Sequence, residues 1–481
     1  SDVIWILASS GALMLLNALL TRRREAEEKD GLYWHCNRIL MCKLLDMDFV
    51  DADSQRVHDL RSLILQNINI GRGFYLVMGL FDALPTALFR IIGGVWLTFT
   101  LFTTAATDER FAFLNSPFAA AAVLALMLGS AIFSSFLADK GEQAFNSHIA
   151  DNRLGNRVFS MCGYYSADQK RAPDMRIYRQ QENILDKILA QYDMFGPKSK
   201  LAQLSMGKSG TLLSLSKCVS ALLTGFVYLF VCLKAYAGAF GLGAVTQYIG
   251  AATSLFNGIA DMLVGLADLR GNAVFLEPLF ELLNTPNNMY QGSLTTEKRS
   301  DRQYDIEFRD VSFKYPGCEN YALRHVSMKF RVGSRLAIVG MNGSGKTTFI
   351  KLLCRLYDPT EGRILLNGID IRKYRYDDYM DIFSVVFQDF QLLAFPLGQN
   401  VASSARYDAA RVRDCLDKAG FSERLSRLPR GLDTSLYREL DKYGVEVSGG
   451  EAQKIAIART LYKDAPFIIL DEPTAALDPI A

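Results

Sequence analysis

The chain has 481 residues, half of them hydrophobic and 22% charged, with a formal net charge of +2, so a single ordinary soluble domain and a nucleic-acid-binding charge pattern are both excluded. A mean hydropathy of +0.09 beside that many charges implies segregation, with apolar spans in one part and a soluble domain in another. Eight cysteines without a C-x-x-C pair, and four histidines without zinc spacing, leave no expectation of a disulfide framework or a metal cluster.

Residues 3–20 are apolar and are followed, not preceded, by Arg22-Arg23-Arg24. A signal peptide has the opposite polarity. The order fits a membrane helix leaving the bilayer on the cytoplasmic side, and the N-terminus is expected to be truncated. Further runs long enough to span a bilayer lie near 84–106 (interrupted by Arg90), 118–138, 211–233 and 243–266. The connections 107–117 and 234–242 are short, whereas 21–83 and 139–210 are long and charged. That asymmetry places the long segments, and the C-terminal half with them, in the cytoplasm. Apolar residues at three- and four-residue spacing (Ile39, Leu40, Leu44; later Ile177, Ile184, Ile188) make the long segments helical. The span near 243–266 carries Gln247, Asn257 and Asp261. Polar residues inside a span face a bundle interior or an aqueous path; the alternative is that Asp261 already lies in a cytoplasmic continuation of the helix.

Near 284–302 the composition turns to Asn, Pro, Gly, Ser, Thr and charge, which reads as a linker at 291–302. Beyond it, β-rich runs at 306–313, 327–330, 334–339, 363–366, 382–386 and 467–470 alternate with helical patterns, one of them at 345–355. This predicts an α/β domain with a predominantly parallel sheet and an antiparallel part. The fold class is therefore multi-domain: an all-α transmembrane bundle over 1–290, then an α/β domain over 303–481.

Within that second domain, Gly340-Met341-Asn342-Gly343-Ser344-Gly345-Lys346-Thr347 matches G-x-x-x-x-G-K-[ST], with an expected strand before it and a helix after it. Glycines let the backbone wrap phosphate oxygens, and a helix N-terminus adds donors and positive potential. Lys346 would contact the β- and γ-phosphates and the Thr347 hydroxyl would ligate magnesium, with Thr348 beside them. Downstream, the apolar run 467–470 ends in Asp471-Glu472. A buried strand delivering a carboxylate is how P-loop ATPases hold magnesium, which assigns Asp471 to the metal and Glu472 to the attacking water.

Between these elements, Val447-Ser448-Gly449-Gly450-Glu451-Ala452-Gln453-Lys454 resembles the signature motif of ATP-binding cassette proteins. Phe313-Lys314-Tyr315-Pro316 resembles their aromatic loop, Phe387-Gln388-Asp389 their Q-loop and Ala475-Ala476-Leu477-Asp478 their D-loop. The spans and long cytoplasmic segments resemble the exporter-type membrane domain, with 170–181 similar to a coupling segment. The resemblance implies ATP and Mg2+ as ligands. Tyr315 would stack on adenine, and Gln388 would touch magnesium or the attacking water. Ser448, Gly449, Gly450 and Glu451 would meet the γ-phosphate held by another subunit. Such a chain pairs as a homodimer or with a related half-transporter, in membrane lipid, and not with nucleic acid. Two positions depart from the family pattern, Val447 for Leu and Glu451 for Gln. The family's sixth span and its switch histidine beyond the D-loop are not visible, which fits a fragment.

The expected function is an ATP-driven exporter subunit of a bacterial plasma membrane, with its nucleotide domain cytoplasmic and its cargo (lipid, peptide or hydrophobic small molecule) not legible. The alternatives are an ATP-gated channel, a regulatory cassette protein, or a soluble cassette ATPase, against which the apolar spans argue.

Overall fold

A computed structural model of the chain describes residues 2–27, 33–151, 171–191, 196–296 and 303–472, with isolated positions between 152 and 170. Helices α1 (Asp2–Glu27), α2 (Tyr33–Asp46) and the short α3 (Phe49–Ala52) open the chain. They are followed by α4 (Gln55–Asn69), α5 (Phe74–Thr103), α6 (Pro117–Asp151), α7 (Lys208–Tyr236), α8 (Leu242–Gly271) and α9 (Ala273–Leu283). By internal contacts the chain forms two units, Gln55–Thr285 and one combining Ser1–Ser54 with Pro286–Ala481. The first 54 residues, expected with the membrane block, thus group with the C-terminal half.

In that combined unit, β1 (Asp305–Phe313), β2 (Leu323–Arg331), β3 (Glu361–Leu366) and β4 (Ile369–Asp370) form an antiparallel sheet in the order β2-β1-β3-β4. Alternation along β1 puts Ile306 and Phe308 inward. There the helix α10 (Lys346–Leu353) packs, with Phe349 stacked on Phe308 at 4.5 Å. A parallel pair, β5 (Phe383–Val386) and β6 (Phe467–Leu470), lies against the same core through stacked Phe383 and Phe467. A second core gathers Leu397, Val401, Val412 and Leu416 under the helix α11 (Gly449–Lys463). The expected linker is partly ordered onto this unit: Leu294 bridges Tyr374, and the buried Arg355 donates to the carbonyl of Tyr290 at 2.5 Å. Residues 297–302 lie outside the described residues.

The structure differs from expectation at 334–339, which forms no strand. Leu336, Ile338 and Val339 are exposed, and so are Ile468 and Leu470 on β6; a cavity of about 430 Å3 separates the two stretches. A parallel strand is stable when both of its faces are covered. Among the described residues nothing covers this one, so pairing would bury little apolar surface. The parallel part of the sheet is accordingly two strands, smaller than the antiparallel part.

The unit Gln55–Thr285 is a helix bundle. Gln55–Thr103, Pro117–Phe145, Ala202–Tyr236 and Leu242–Gly271 are each long and apolar enough to cross a membrane, and α1 is helical across the remaining run at 3–20. Leu101, Met127, Val227, Phe230 and Leu255 fill its core, while Phe81, Phe89 and Trp96 stand about three-quarters exposed on α5. Large apolar side chains on both the inside and the outside of a bundle suit a hydrocarbon surrounding. Polar bonds tie the helix ends at one end of the bundle. Arg72 bridges Glu142 at 2.7 Å and Asp268 at 3.1 Å, joining α6 and α8. The fully buried Asn272 accepts from the Gly73 amide at 2.8 Å and donates to the Gly73 carbonyl at 2.7 Å. Asn272→Ala leaves the buried Gly73 amide without its partner, at about 1–3 kcal/mol before relaxation. The expected result is a melting temperature several degrees lower in detergent, measured by differential scanning fluorimetry on the full chain.

Candidate functional site

The site is assembled by strand register. β5 and β6 pair in parallel with Val386 opposite Leu470, and the ladder runs one residue further, Asp471 N–H donating to the Val386 carbonyl at 2.9 Å. Continuing that register sets Phe387 opposite Asp471 and Gln388 opposite Glu472. The Gln388 side chain accordingly donates to Glu472 Oε2 at 2.8 Å. Glu472 has φ +50°, a left-handed conformation rare for a non-glycine residue. Backbone strain of this kind gathers at functional sites, and here the turn carries a carboxylate that faces both Gln388 and Lys346.

Across from the strand tips stands the glycine-rich loop. Gly345 caps α10 at φ +94°, and a side chain there would lie 2.7 Å from Leu323, so only glycine fits. Lys346 Nζ donates to the Gly340 carbonyl at 2.9 Å and lies 3.5 Å from Glu472 Oε1. The Thr347 hydroxyl donates to Asp471 Oδ2 at 2.8 Å. Lys346, Thr347, Asp471, Glu472 and Gln388, singled out in the sequence far apart, are thus one connected cluster.

The cluster fits a phosphate–magnesium group. Asp471 is buried at 4% exposure, and Thr347 is its one side-chain partner among the described residues. A carboxylate offers about four lone-pair sites, so most of this one's capacity is unfilled beside a hydroxyl oxygen, the donor set a hard divalent cation takes. A lysine turned onto its own loop carbonyl is likewise free to exchange that bond for a phosphate oxygen.

Ser448, Gly449, Gly450 and Glu451 are not joined to the cluster; no hydrogen bond or ion pair links them to it among the described residues. They open α11 as a capping box. Ser448 Oγ accepts from the Glu451 amide at 3.3 Å, and Glu451 Oε2 accepts from the Ser448 amide at 2.8 Å. Glu451 also ion-pairs with Arg424 at 2.9 Å. The departure from Gln at 451 is therefore absorbed structurally: either residue closes the box, and the extra charge has its own partner. Asn342, Gly343 and Ser344 form the described loop itself, whereas the expected D-loop, Ala475 to Asp478, lies outside the described residues.

Tyr315 is half-buried in an aromatic cluster the sequence did not reveal. Its ring stands edge-on to Phe313 at 5.0 Å and Tyr357 at 5.4 Å, and its hydroxyl shares a hydrogen bond with Thr348 at 3.0 Å. The short helix α3 docks here. Phe49 packs edge-on to Tyr357 at 5.6 Å, and Tyr357 donates to Asp53 Oδ2 at 2.6 Å. Lys351 Nζ sits within 6 Å of the Phe49, Tyr315 and Tyr357 ring centres, a cation–π arrangement. Burial, then the Asp53 carboxylate, pushes the Tyr357 hydroxyl well above the ordinary tyrosine range; it stays protonated and can donate. Asp48 accepts from the Met289 amide at 2.8 Å, anchoring the other side of α3. The one sequence signal was an aromatic residue among acids, Asp48-Phe49-Val50-Asp51, between two helical runs.

A glycine-rich loop and helix that bring a lysine and a hydroxyl to two carboxylates define a P-loop nucleotide-binding site. Residues 323–475 match the ABC transporter family model. The subtilin transport ATP-binding protein SpaT of Bacillus subtilis is 32% identical over 64% of this chain and 50% of its own length. The ATP-dependent lipid A-core flippase of Burkholderia orbicola is 39% identical over 42% of this chain and 33% of its own length. The flippase of the same description from Cupriavidus metallidurans is 35% identical over 49% and 39%. The solved structure of a bacterial Atm1-family ABC exporter with ATP bound superposes with a TM-score of 0.67 at 22% identity, covering 97% of this chain and 77% of that one. Residues 323–475 therefore carry an ABC transporter domain, and a helical region of membrane-span character lies ahead of it in the same chain. The chain spans a third to a half of the length of these curated relatives.

Thr347→Val removes the hydroxyl from the buried Asp471 and leaves that carboxylate unpartnered, at about 1–3 kcal/mol. The expected outcome is a lower melting temperature without nucleotide, and nucleotide binding that no longer tightens when magnesium is added. Fluorescent-nucleotide titrations with and without magnesium check it.

Proposed function

We propose that this chain is an ATP-hydrolysing subunit of a membrane exporter, binding Mg-ATP at the cluster of Lys346, Thr347, Asp471, Glu472 and Gln388. The observation that carries the reading is the bonding of these five side chains into one site between the glycine-rich loop and the tips of β5 and β6. Lys346 holds phosphate oxygens as a point charge, Thr347 and Asp471 supply oxygen ligands to the magnesium, and Tyr315 offers an aromatic surface to the base. Bound magnesium neutralises phosphate charge. Glu472 orients and accepts a proton from the attacking water, and Gln388, bonded to Glu472, holds that carboxylate in place.

Among the described residues no hydrogen bond or ion pair joins Ser448–Glu451 to this cluster, which supports completion of the site by a second half-transporter, identical or related. The capping box leaves the Ser448 hydroxyl hydrogen free to donate at a helix N-terminus, where an anion is favoured. The four span-length helices support an integral membrane protein, and we place it in a bacterial plasma membrane with the nucleotide domain cytoplasmic. The docking of α3 beside Tyr315 supplies the coupling: a shift of the aromatic loop on nucleotide binding moves Tyr357 and Lys351, and α3 with them. Such coupling drives transport only insofar as ATP binds one conformation better than the other.

Glu472→Gln in the complete transporter is expected to slow hydrolysis by about 10²–10⁴-fold, the contribution of a positioned general base, while ATP still binds. Lys346→Ala should instead weaken binding. Steady-state ATPase and equilibrium nucleotide binding in the purified dimer separate the two, and turnover of Glu472→Gln within twofold of wild type would remove Glu472 from this role. Tyr357→Phe keeps the ring and deletes the bond to Asp53. Basal ATPase is expected to persist while transport per ATP falls, measured in proteoliposomes.

A further inference from the structure

An ion pair joins two helices of the bundle Gln55–Thr285. Arg90 on α5 donates through Nη1 to Asp261 Oδ2 on α8 at 2.7 Å. Both residues sit inside span-length helices. Arg90 is 13 residues from the Thr103 end of α5 (103 − 90) and Asp261 is 19 residues from the Leu242 end of α8 (261 − 242), about 20 and 28 Å at the helical rise.

Close helix packing creates the pair. A side chain on Gly258 would come within 2.9 Å of the Ala87 carbonyl and of Arg90 Cβ, and one on Gly94 within 2.6 Å of Leu255. With α5 and α8 nearly backbone to backbone, Arg90 is turned out of the seam. It meets Asp261, which lies one turn beyond Gly258. Neither partner is buried: their side chains are 48% and 51% exposed. Among the described residues the Nε and Nη2 donors of Arg90 and the Oδ1 acceptor of Asp261 have no partner.

The surroundings decide what the exposed face meets. At 100° per residue, the side of α5 holding Arg90 carries the exposed Leu97 with Thr86, Gly93 and Thr100, while Phe81, Leu88, Ile92, Val95 and Phe99 occupy another side. On α8 the exposed stripe is Thr246, Gln247, Gly250, Asn257 and Asp261. The apolar side of α5 suits lipid, and the polar stripe of α8 runs along the helix to the ion pair. Polar residues repeated along one side of a span face an aqueous path, and the open edges of the pair lie on that side.

We propose that Arg90 and Asp261 form the head-group site for the transported substrate, an amphiphile whose head carries an acidic group beside a basic one. The acidic group takes the free fork of Arg90, which matches carboxylate or phosphate oxygens. The ammonium takes the free oxygen of Asp261, and the tail lies along the apolar side chains. A net-neutral pair with one open donor edge and one open acceptor favours such a head over a singly charged one. This inference rests on the exporter reading for the word substrate, but its test does not use hydrolysis.

The test is equilibrium binding, without nucleotide, of radiolabelled twelve-carbon amphiphiles to the full chain in maltoside micelles. The heads compared are phosphoethanolamine, phosphate, primary ammonium and tetraethylene glycol. Phosphoethanolamine is expected to bind at least tenfold tighter than the others. The double variant Arg90→Gln with Asp261→Asn, which keeps a hydrogen bond and removes both charges, is expected to lose that tenfold and leave the glycol head unchanged. Equal binding of the zwitterionic and glycol heads by the wild-type chain overturns the proposal, whether or not the variant folds. Phosphate binding as tight as phosphoethanolamine overturns the part given to Asp261. Failure of the ATPase reading would show separately, as absent hydrolysis with head-group selectivity intact.

Discussion

The parallel register of β5 and β6 is the constraint on which the nucleotide site depends. Setting Val386 opposite Leu470 delivers Gln388 and Glu472 to the same level beyond the strand tips and leaves Asp471 buried beside Thr347. A slip of one residue would send Asp471 to the opposite face and take its carboxylate away from Thr347. The aromatic stack of Phe383 on Phe467 holds that register from below. The glycine-rich loop is held in turn by Phe349 on Phe308. Two stacked aromatic pairs thus fix the two halves of a site whose own polar contacts are few and exchangeable.

The same economy explains how the site can report to the rest of the protein. Tyr315 touches Thr348, one residue after the cluster's Thr347, and shares Lys351 and Tyr357 with α3. Beyond the neutral hydroxyl pair of Tyr315 and Thr348, these contacts are aromatic or charge-assisted and so directional: a small rotation of Tyr357 changes both the bond to Asp53 and the packing of Phe49. In the helix bundle, by contrast, Gly94 and Gly258 make α5 and α8 one close-packed body, and the charges of Arg90 and Asp261 are its open, reactive edge.

Much of this was legible in the sequence, for identifiable reasons. The site residues are catalytic types at fixed spacing, and strands that end in such residues, like 306–313 and 467–470, carry strong apolar runs. The apolar spans announce themselves by length. What was not legible depends on tertiary partners. The run 334–339 has a strand's composition, yet with nothing covering it among the described residues no ladder forms. The docking of α3 rests on Phe49 and Asp53 meeting Tyr357, a contact across three hundred positions with no local periodicity. The pairing of Arg90 with Asp261 was hidden in the same way, because each alone reads as an interruption of an apolar span.

The most direct test of the account concerns the oxygen pair at the centre of the site. Manganese, a spectroscopic stand-in for magnesium, would be titrated into the full chain with saturating ATP and followed by electron paramagnetic resonance, in wild type and in Asp471→Asn. The account predicts one manganese per chain in wild type and an affinity at least tenfold weaker in the variant, with nucleotide still bound. Equal manganese affinity in the two proteins would contradict it, because the buried carboxylate beside Thr347 would then have no part in holding the metal.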